Sequence, residues 1–277
     1  MKFPKLVLIS LTLAAAVSGA DYPQRIISLA PSITRNLYLL GAGERIVGVT
    51  VYCREYAQNK EEIGTLLEPN IEKIFSLQPD LIVASKEGNN RDSVNKLANL
   101  GLKVHMLAEN DSFADICAGF LELDRIIGSG QKAAEIILAA RKRVNAVKSR
   151  VLRLAKPSLF WELGTKPVFT ACRASFINDF LEIAGGRNIF LDLGARYSQV
   201  SREEVVRRNP DIIIIAAPNE AMPAEKERWE KFPAMNAVKY KKIFILEDRL
   251  FTEPSPLAFA QAVENIAEII HPRGKKQ

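Results

Sequence analysis

Few side chains in this sequence are able to do covalent or metal chemistry. There are three cysteines, Cys53, Cys117 and Cys172, and two histidines, His105 and His271. Their spacing matches no zinc-site pattern, and two histidines are too few for a histidine-rich zinc or manganese receptor. The chain carries no GxSxG elbow, no phosphate-binding glycine loop and no HExxH pair. A cysteine nucleophile needs a base beside it to take its proton, and neither histidine falls in a loop that holds Cys53 or Cys172. Each of those two thiols follows a predicted strand, one in each half of the chain. Together they could ligate a metal centre or bridge the halves; alone each is a small loop residue. Cys117 sits inside a helical stretch and reads as packing. Arg173 and Arg196, also in loops, have the planar fork that pairs with carboxylates or phosphates, or they are solvated surface. This inventory points to binding rather than catalysis.

Composition bounds the rest. Of 277 residues, 48% are hydrophobic and 25% charged, enough for one large or two medium cores. The first twenty residues stand apart. Lys2 and Lys5 precede the apolar run Leu6 to Val17, and Ser18-Gly19-Ala20 follows. This describes a secretory signal peptide cleaved after Ala20, and the run is short for a membrane span. No Cys stands at the junction to take a lipid. Without Lys2 and Lys5 the net charge falls from +6 to +4, and it is interspersed. No basic stripe interleaved with aromatics suggests nucleic acid.

The elements that must position these residues alternate. Strands are predicted at Arg25 to Ala30, Ile46 to Val51, Asp80 to Ala84 and Leu102 to Leu107. Helices are predicted from Ser32, from Asn70, from Asn90 and from Ser112. Gln131 to Leu154 then runs without Pro or Gly, as one helix of about 36 Å. Its apolar residues Ala134, Ile137, Leu138, Val144, Val147, Val151 and Leu154 recur at helical steps, and Lys132, Arg141, Lys142, Arg143, Lys148 and Arg150 form a polar face. Strands resume at Ser158 to Leu163, Val168 to Ala171, Asp211 to Ala216 and Ile243 to Leu246. Helices are predicted at Ser175 to Ala184, Ser201 to Arg208, Glu225 to Glu230 and Pro256 to Ile270. Such alternation argues an α/β fold: two Rossmann-like lobes with parallel-type sheets, 21–127 and 157–277, joined by one long backbone helix within 128–156. Ligands in such sheets sit beyond the carboxyl ends of the strands. The candidate ligand loops are therefore Ala30–Ser32 (Pro31, Ser32), Tyr52–Tyr56 (with Cys53), Ser85–Asn89, Ala171–Ser175 (Cys172, Arg173), Arg196–Gln199 (with Tyr197) and Asp248–Ser255 (with Glu253).

The segments RIISLAPSITRNLYLLGAGERIVGVT, PNIEKIFSLQPDLIVA, FINDFLEIAGGRNIF and QVSREEVVRRNPDIIII are similar to the ABC-importer substrate-binding proteins for cobalamin and ferric siderophores. The likeness covers nearly all of the chain after the signal, in order. It implies two α/β lobes on one rigid helix, with a chelate held between them and little hinge motion. It also implies an ABC permease as partner, docked through one acidic residue on each lobe, Glu72 and Glu203. A negative charge in the first turn of a helix is the plainer reading of both. Tyr52 and Tyr197 match aromatic cleft positions of the cobalamin-binding members. Leu66 and Ser85 stand where those have tryptophans, and Glu253 stands where they have an arginine. Both tryptophans here, Trp161 and Trp229, lie elsewhere, Trp161 in a strand as core. The departure removes flat stacking surface while leaving a bulky metal chelate, whether corrinoid, siderophore or haem. The expected protein is a periplasmic monomeric receptor with no cofactor or metal of its own and no catalytic residues. A cleft-cysteine enzyme and a receptor feeding a membrane sensor are the competing readings.

Overall fold

The computed structural model describes residues 22–53, 57–216, 222–246 and 251–273. The first half runs β1 (Ile26–Ser28), α1 (Pro31–Leu39), β2 (Ile46–Val49), β3 (Glu61–Glu62), α2 (Ile71–Ser76), β4 (Leu81–Ser85), α3 (Arg91–Asn99), β5 (Val104–Leu107) and α4 (Phe113–Ile127). Its sheet has the order β3-β2-β1-β4-β5 and is parallel throughout. The central strands are buried on both faces, which is why their sequences are continuous apolar runs. Gly128 ends α4 in the left-handed region at φ 65°, where its N–H returns to the Asp124 carbonyl.

The connecting helix follows, α5 (Lys132–Val151), 20 residues and so about 30 Å long. Its buried face is Ala133, Ile137, Ala140, Val144, Val147 and Val151, a clean three-four spacing. The long helix is as expected, but the phase of its stripe is not. Leu138 and Leu154 are 71% and 45% exposed, and Ala134 is exposed. The small Ala133 and Ala140 are fully buried in that stripe, in place of the larger Leu138 and Leu154.

The second half runs β6 (Ser158–Thr165), β7 (Val168–Ala171), α6 (Phe176–Ile183), β8 (Arg187–Asn188), β9 (Tyr197–Gln199), α7 (Arg202–Arg208), β10 (Ile212–Ile215), α8 (Met222–Glu230), α9 (Asn236–Lys239), β11 (Ile243–Ile245) and α10 (Pro256–Ile270). The sheet order is β11-β10-β6-β7-β9, with β8 against β6. β11, β10, β6 and β8 are parallel, whereas β7 pairs antiparallel with both β6 and β9. This sheet is therefore mixed rather than wholly parallel. Only Lys166 and Pro167 separate β6 from β7, and a connection that short returns the chain antiparallel. α10 packs along α5, tied by Arg143 to Glu264 (2.6 Å) and Gln261 (2.6 Å) and by Arg150 to Glu268.

Strand β6 alternates strictly: Leu159 and Trp161 enter the core against α10, while Phe160 enters the opposite core. Glu162 follows Phe160 onto that face and is fully buried, Oε2 accepting from Trp229 Nε1 at 2.7 Å. Beside it is Glu225, also fully buried, held by Arg202 and by Arg228 at 2.7 Å. Burial pushes the Glu162 carboxyl up from near 4.5 to about 8, with the Glu225 charge adding to the rise and the Trp229 hydrogen bond and Arg202 opposing it. The folded chain thus keeps a proton that the unfolded chain loses in the ordinary carboxylate range. That stability is present in full below the unfolded value and is lost as pH rises through about 8. Glu162→Gln keeps an acceptor for Trp229 without the titration. Thermal denaturation between about pH 5 and about pH 8.5 should show the parent melting temperature falling by a few degrees more than that of the variant. Parallel pH profiles for the two would contradict this assignment.

Candidate functional site

The carboxyl ends of β1 and β4 in one lobe and of β6 in the other open into a cleft of about 610 Å3. From the first lobe it is lined by Ala30, Pro31, Ser32, Leu66, Ser85, Glu87 and Gly88. The second lobe contributes Leu163, Phe169, Phe176, Ile177, Tyr197 and the segment Phe251 to Pro254. The size lies within the range of small-molecule sites, and the lining is mostly apolar.

Local sequence explains how each wall is set. Pro31 opens α1 at a position where no N–H is needed, so the chain turns away from β1 as soon as the strand ends. Asn89 fixes the loop after β4: its side chain accepts from Ser85 N–H at 2.8 Å and donates to the Leu29 and Leu66 carbonyls at 2.8 and 3.0 Å. Ser175 caps α6 and so turns Phe176 and Ile177 into the cleft. Phe251 is nearly fully buried and packs edge-on against Trp161 at 5.2 Å, with Phe180 behind both. Phe169, on the antiparallel hairpin strand, is 38% exposed. Two unlike edges close over this apolar floor. At one, Tyr197 donates from its hydroxyl to Glu87 Oε1 at 3.2 Å across the lobes. Arg196 reaches Glu87 at 3.7 Å, Glu109 at 3.1 Å and Asp111. At the other edge Arg35 stands 3.6 Å from Glu253, and Asn36 donates to the Pro254 carbonyl at 3.4 Å. Partial burial pushes the Glu87 carboxyl up against the lowering effect of Arg196 and Tyr197. Burial and then the Glu87 charge raise the Tyr197 hydroxyl, which stays protonated.

Of the residues singled out in the sequence, Pro31, Ser32, Ser85, Tyr197 and Glu253 come together in the cleft, and Leu66 joins them. Tyr52 is half exposed in a short 3-10 turn and does not line it. Cys53 and Cys172 do not face each other across the cleft. Both are fully buried in separate cores, Cys53 beside Thr34 and Thr50, and Cys172 over the Thr170 carbonyl. The turns that carry them point the side chains inward, under the loop. Arg173 is exposed and donates to the Leu191 carbonyl at 2.7 Å, away from the cleft. Arg196 is at the cleft edge but is held by three carboxylates. Asp248 lies outside the described residues. Glu72 and Glu203 are both exposed, and each is the second residue of its helix, α2 and α7. Phe169, Phe176 and Phe251 were not singled out, although they are the aromatic floor. Among the described residues no group of three or more His, Cys, Asp or Glu is arranged to hold a metal ion, and no helix is long and apolar enough to cross a membrane.

Residues 26–250 match the family described as periplasmic binding protein. The chain belongs to that family. That membership makes it an exported binding protein of the periplasmic kind. The binding protein is 28% identical over 258 residues to the vitamin B12-binding protein of Yersinia pestis, covering 91% of this chain and 90% of that one. It is 28% identical over 260 residues to an ABC transporter substrate-binding lipoprotein of Bacillus subtilis, covering 90% of this chain and 81% of that one. Among solved structures, the periplasmic vitamin B12-binding protein of Vibrio cholerae superposes with a TM-score of 0.78 at 29% identity, covering 90% of this chain and 96% of that one. The two-lobed α/β fold on a long helix is thus the fold of these binding proteins.

Removing Arg196 leaves Glu87, Glu109 and Asp111 facing one another without their shared cation. Arg196→Gln should lower stability by about 1–2 kcal/mol, discounted for partial exposure, as measured by urea denaturation at low ionic strength. The difference should shrink in about 0.5 M salt. A loss that is indifferent to salt would mean that Arg196 acts by packing alone.

Proposed function

We propose that this binding protein captures a metal chelate of the corrinoid class between its lobes and hands it to an ABC permease. The cleft carries the reading: its lining is mostly apolar, with Phe169 exposed, Tyr197 half-buried and only the edges of the buried Phe176 and Phe251 reaching it, a wall suited to a bulky apolar macrocycle. The vitamin B12-binding relatives at 28% and 29% identity support the corrinoid class. The lobes are 21–127 and 157–277, with 128–156 between them. The first twenty residues direct export and are removed after Ala20, and the mature chain acts as a monomer. It is a receptor rather than an enzyme: neither His105 nor His271 lines the cleft, so its serines have no histidine base there. A haem or ferric-siderophore receptor on the same fold is the alternative, and the ligand decides between them.

Permease docking falls to Glu72 and Glu203. Support for this comes from their matched places, one exposed carboxylate in the first turn of a short helix on each lobe. Charges so placed set register and on-rate on a basic partner.

Two measurements test the proposal. Calorimetry and thermal denaturation with cyanocobalamin, cobinamide, haem and ferric siderophores should give a corrinoid hit. A ligand at a hundred times its dissociation constant adds about 2.7 kcal/mol of stability. Binding of haem or a siderophore alone would replace the corrinoid assignment. Glu72→Ala with Glu203→Ala should leave ligand binding and melting temperature unchanged while abolishing uptake in cells that depend on this protein. Undiminished uptake would remove the docking role.

A further inference from the structure

The cleft has a small annex. An enclosed recess of about 20 Å3 adjoins it, sharing Ser32, Ser85 and Pro254 as common walls. That is room for one group of about water size. Asn36, Asn110 and Gly119 also line it. Asn36 donates from its side chain to the Pro254 carbonyl at 3.4 Å. A carbonyl can only accept, so this bond fixes which end of the amide is nitrogen. The other end, Oδ1, is buried, and nothing among the described residues donates to it. A buried acceptor without a donor is disfavoured, and a donor that reaches it recovers the loss. Asn110 donates to Glu87 on the cleft side, and its Oδ1 lies 3.9 Å from where a Cβ on Gly119 would stand. Two amide oxygens thus border one recess. Ser85 is only 8% exposed; its Oγ accepts from Glu87 N–H at 3.2 Å and keeps its own proton to give. Gly119 sits inside α4, where glycine costs helix stability relative to alanine. Neither a left-handed φ nor a close neighbour demands a glycine there. A side chain at that position would narrow the recess it lines.

We propose that the recess is a subsite for one primary carboxamide arm of the chelate. The NH2 of such an arm carries two donors, which match Asn36 Oδ1 and Asn110 Oδ1, and its oxygen accepts from the Ser85 hydroxyl. A hydroxyl has one donor and a methyl ester none, so neither serves both acceptors. This rests on the corrinoid reading, since the rim of a corrin carries such arms, and it names the part of the ligand that is gripped. The apolar wall of the cleft favours any bulky macrocycle; the recess adds a choice by hydrogen bonding.

A matched pair of ligands tests it. Dicyanocobinamide carries primary amides on its rim. The heptamethyl ester of dicyanocobyrinic acid has the same corrin and cobalt, with methyl esters in their place. Calorimetry on both in one dilute co-solvent gives a ratio of dissociation constants for each protein, so a general loss of affinity cancels. The parent should hold the amide corrinoid about tenfold more tightly, the size of one buried hydrogen bond. Asn36→Leu removes the acceptor, and Gly119→Ala narrows the recess while favouring the helix; each should remove most of that preference. Asn36→Asp keeps an acceptor but loses the donor to Pro254, and should retain the preference. An equal drop in Asn36→Leu and Asn36→Asp would mean that Asn36 serves only to hold Pro254, and overturns the subsite. Amide and ester held equally by the parent, or a ratio indifferent to Asn36→Leu or to Gly119→Ala, also overturns the subsite and leaves the corrinoid reading standing. Failure of the parent to bind either corrinoid overturns both.

Discussion

One helix belongs to two cores. The amino-terminal part of α5 gives Ala133 and Ile137 to the core of the first lobe, and the remainder gives Ala140, Val144, Val147 and Val151 to the core of the second. A continuous α-helix bends sharply only where a proline, glycine pair or bulge breaks its ladder, and none interrupts Lys132–Val151. Rotating one lobe against the other would therefore strip one of the two cores. α10 reinforces this, lying against α5 with Arg143 and Arg150 clasped by its glutamates. α4 does so too, since Ile116 packs in the second core, Phe120 in the first, and Phe113 stacks on Phe259 at 4.7 Å.

The cleft follows from that constraint. Two sheets whose strands end toward each other leave a gap, and the strut sets its width. The gap is floored by residues that are mostly buried parts of the second core, Phe176 and Phe251, so the binding surface is the exposed skin of a packed cluster around Trp161 and Phe180. Preformed surfaces of this kind spare a ligand the ordering cost of closing a site. The edges are polar, and each joins the lobes: Tyr197 and Arg196 at one, Arg35 and Asn36 at the other. These contacts restrain the mouth without supplying the rigidity, which resides in the apolar seams behind.

Much of this was legible in the sequence, and the failures have specific causes. DIIIIA and the stretch from Pro256 to Ile270 declare a buried strand and a closing helix because apolar runs and a proline start have few other uses. β3 and β9, of two and three residues, depend on pairing with a neighbour and have no apolar pattern of their own. The antiparallel turn at Lys166-Pro167 was visible as a short gap between two strands, yet alternation elsewhere favoured parallel pairing. In the cleft, loop position at strand ends located Pro31, Ser32, Ser85, Tyr197 and Glu253. It could not give side-chain direction, which is why Cys53 and Cys172 turned out to be core. The aromatic floor was missed for the same reason: Phe251 lies within the predicted ligand loop Asp248–Ser255 and Phe176 at the start of a predicted helix, but neither position tells which side chain reaches the cleft. Phe169 carried the one local signal, a large apolar residue on the solvent-facing step of a short strand.

α5 holds the two lobes at a fixed separation, so the cleft exists before the ligand arrives. Spin labels at Lys96→Cys on α3 and Glu230→Cys on α8, both exposed sites, report that separation directly, since the native cysteines are buried and escape labelling. The distance distribution should be single and narrow without ligand, and its mean should move by no more than about 2 Å when the cleft is saturated, the change that separates rigid from rearranging binding partners. A broad distribution that collapses to a shorter distance with ligand would contradict the account and make closure, not the strut, the source of the site.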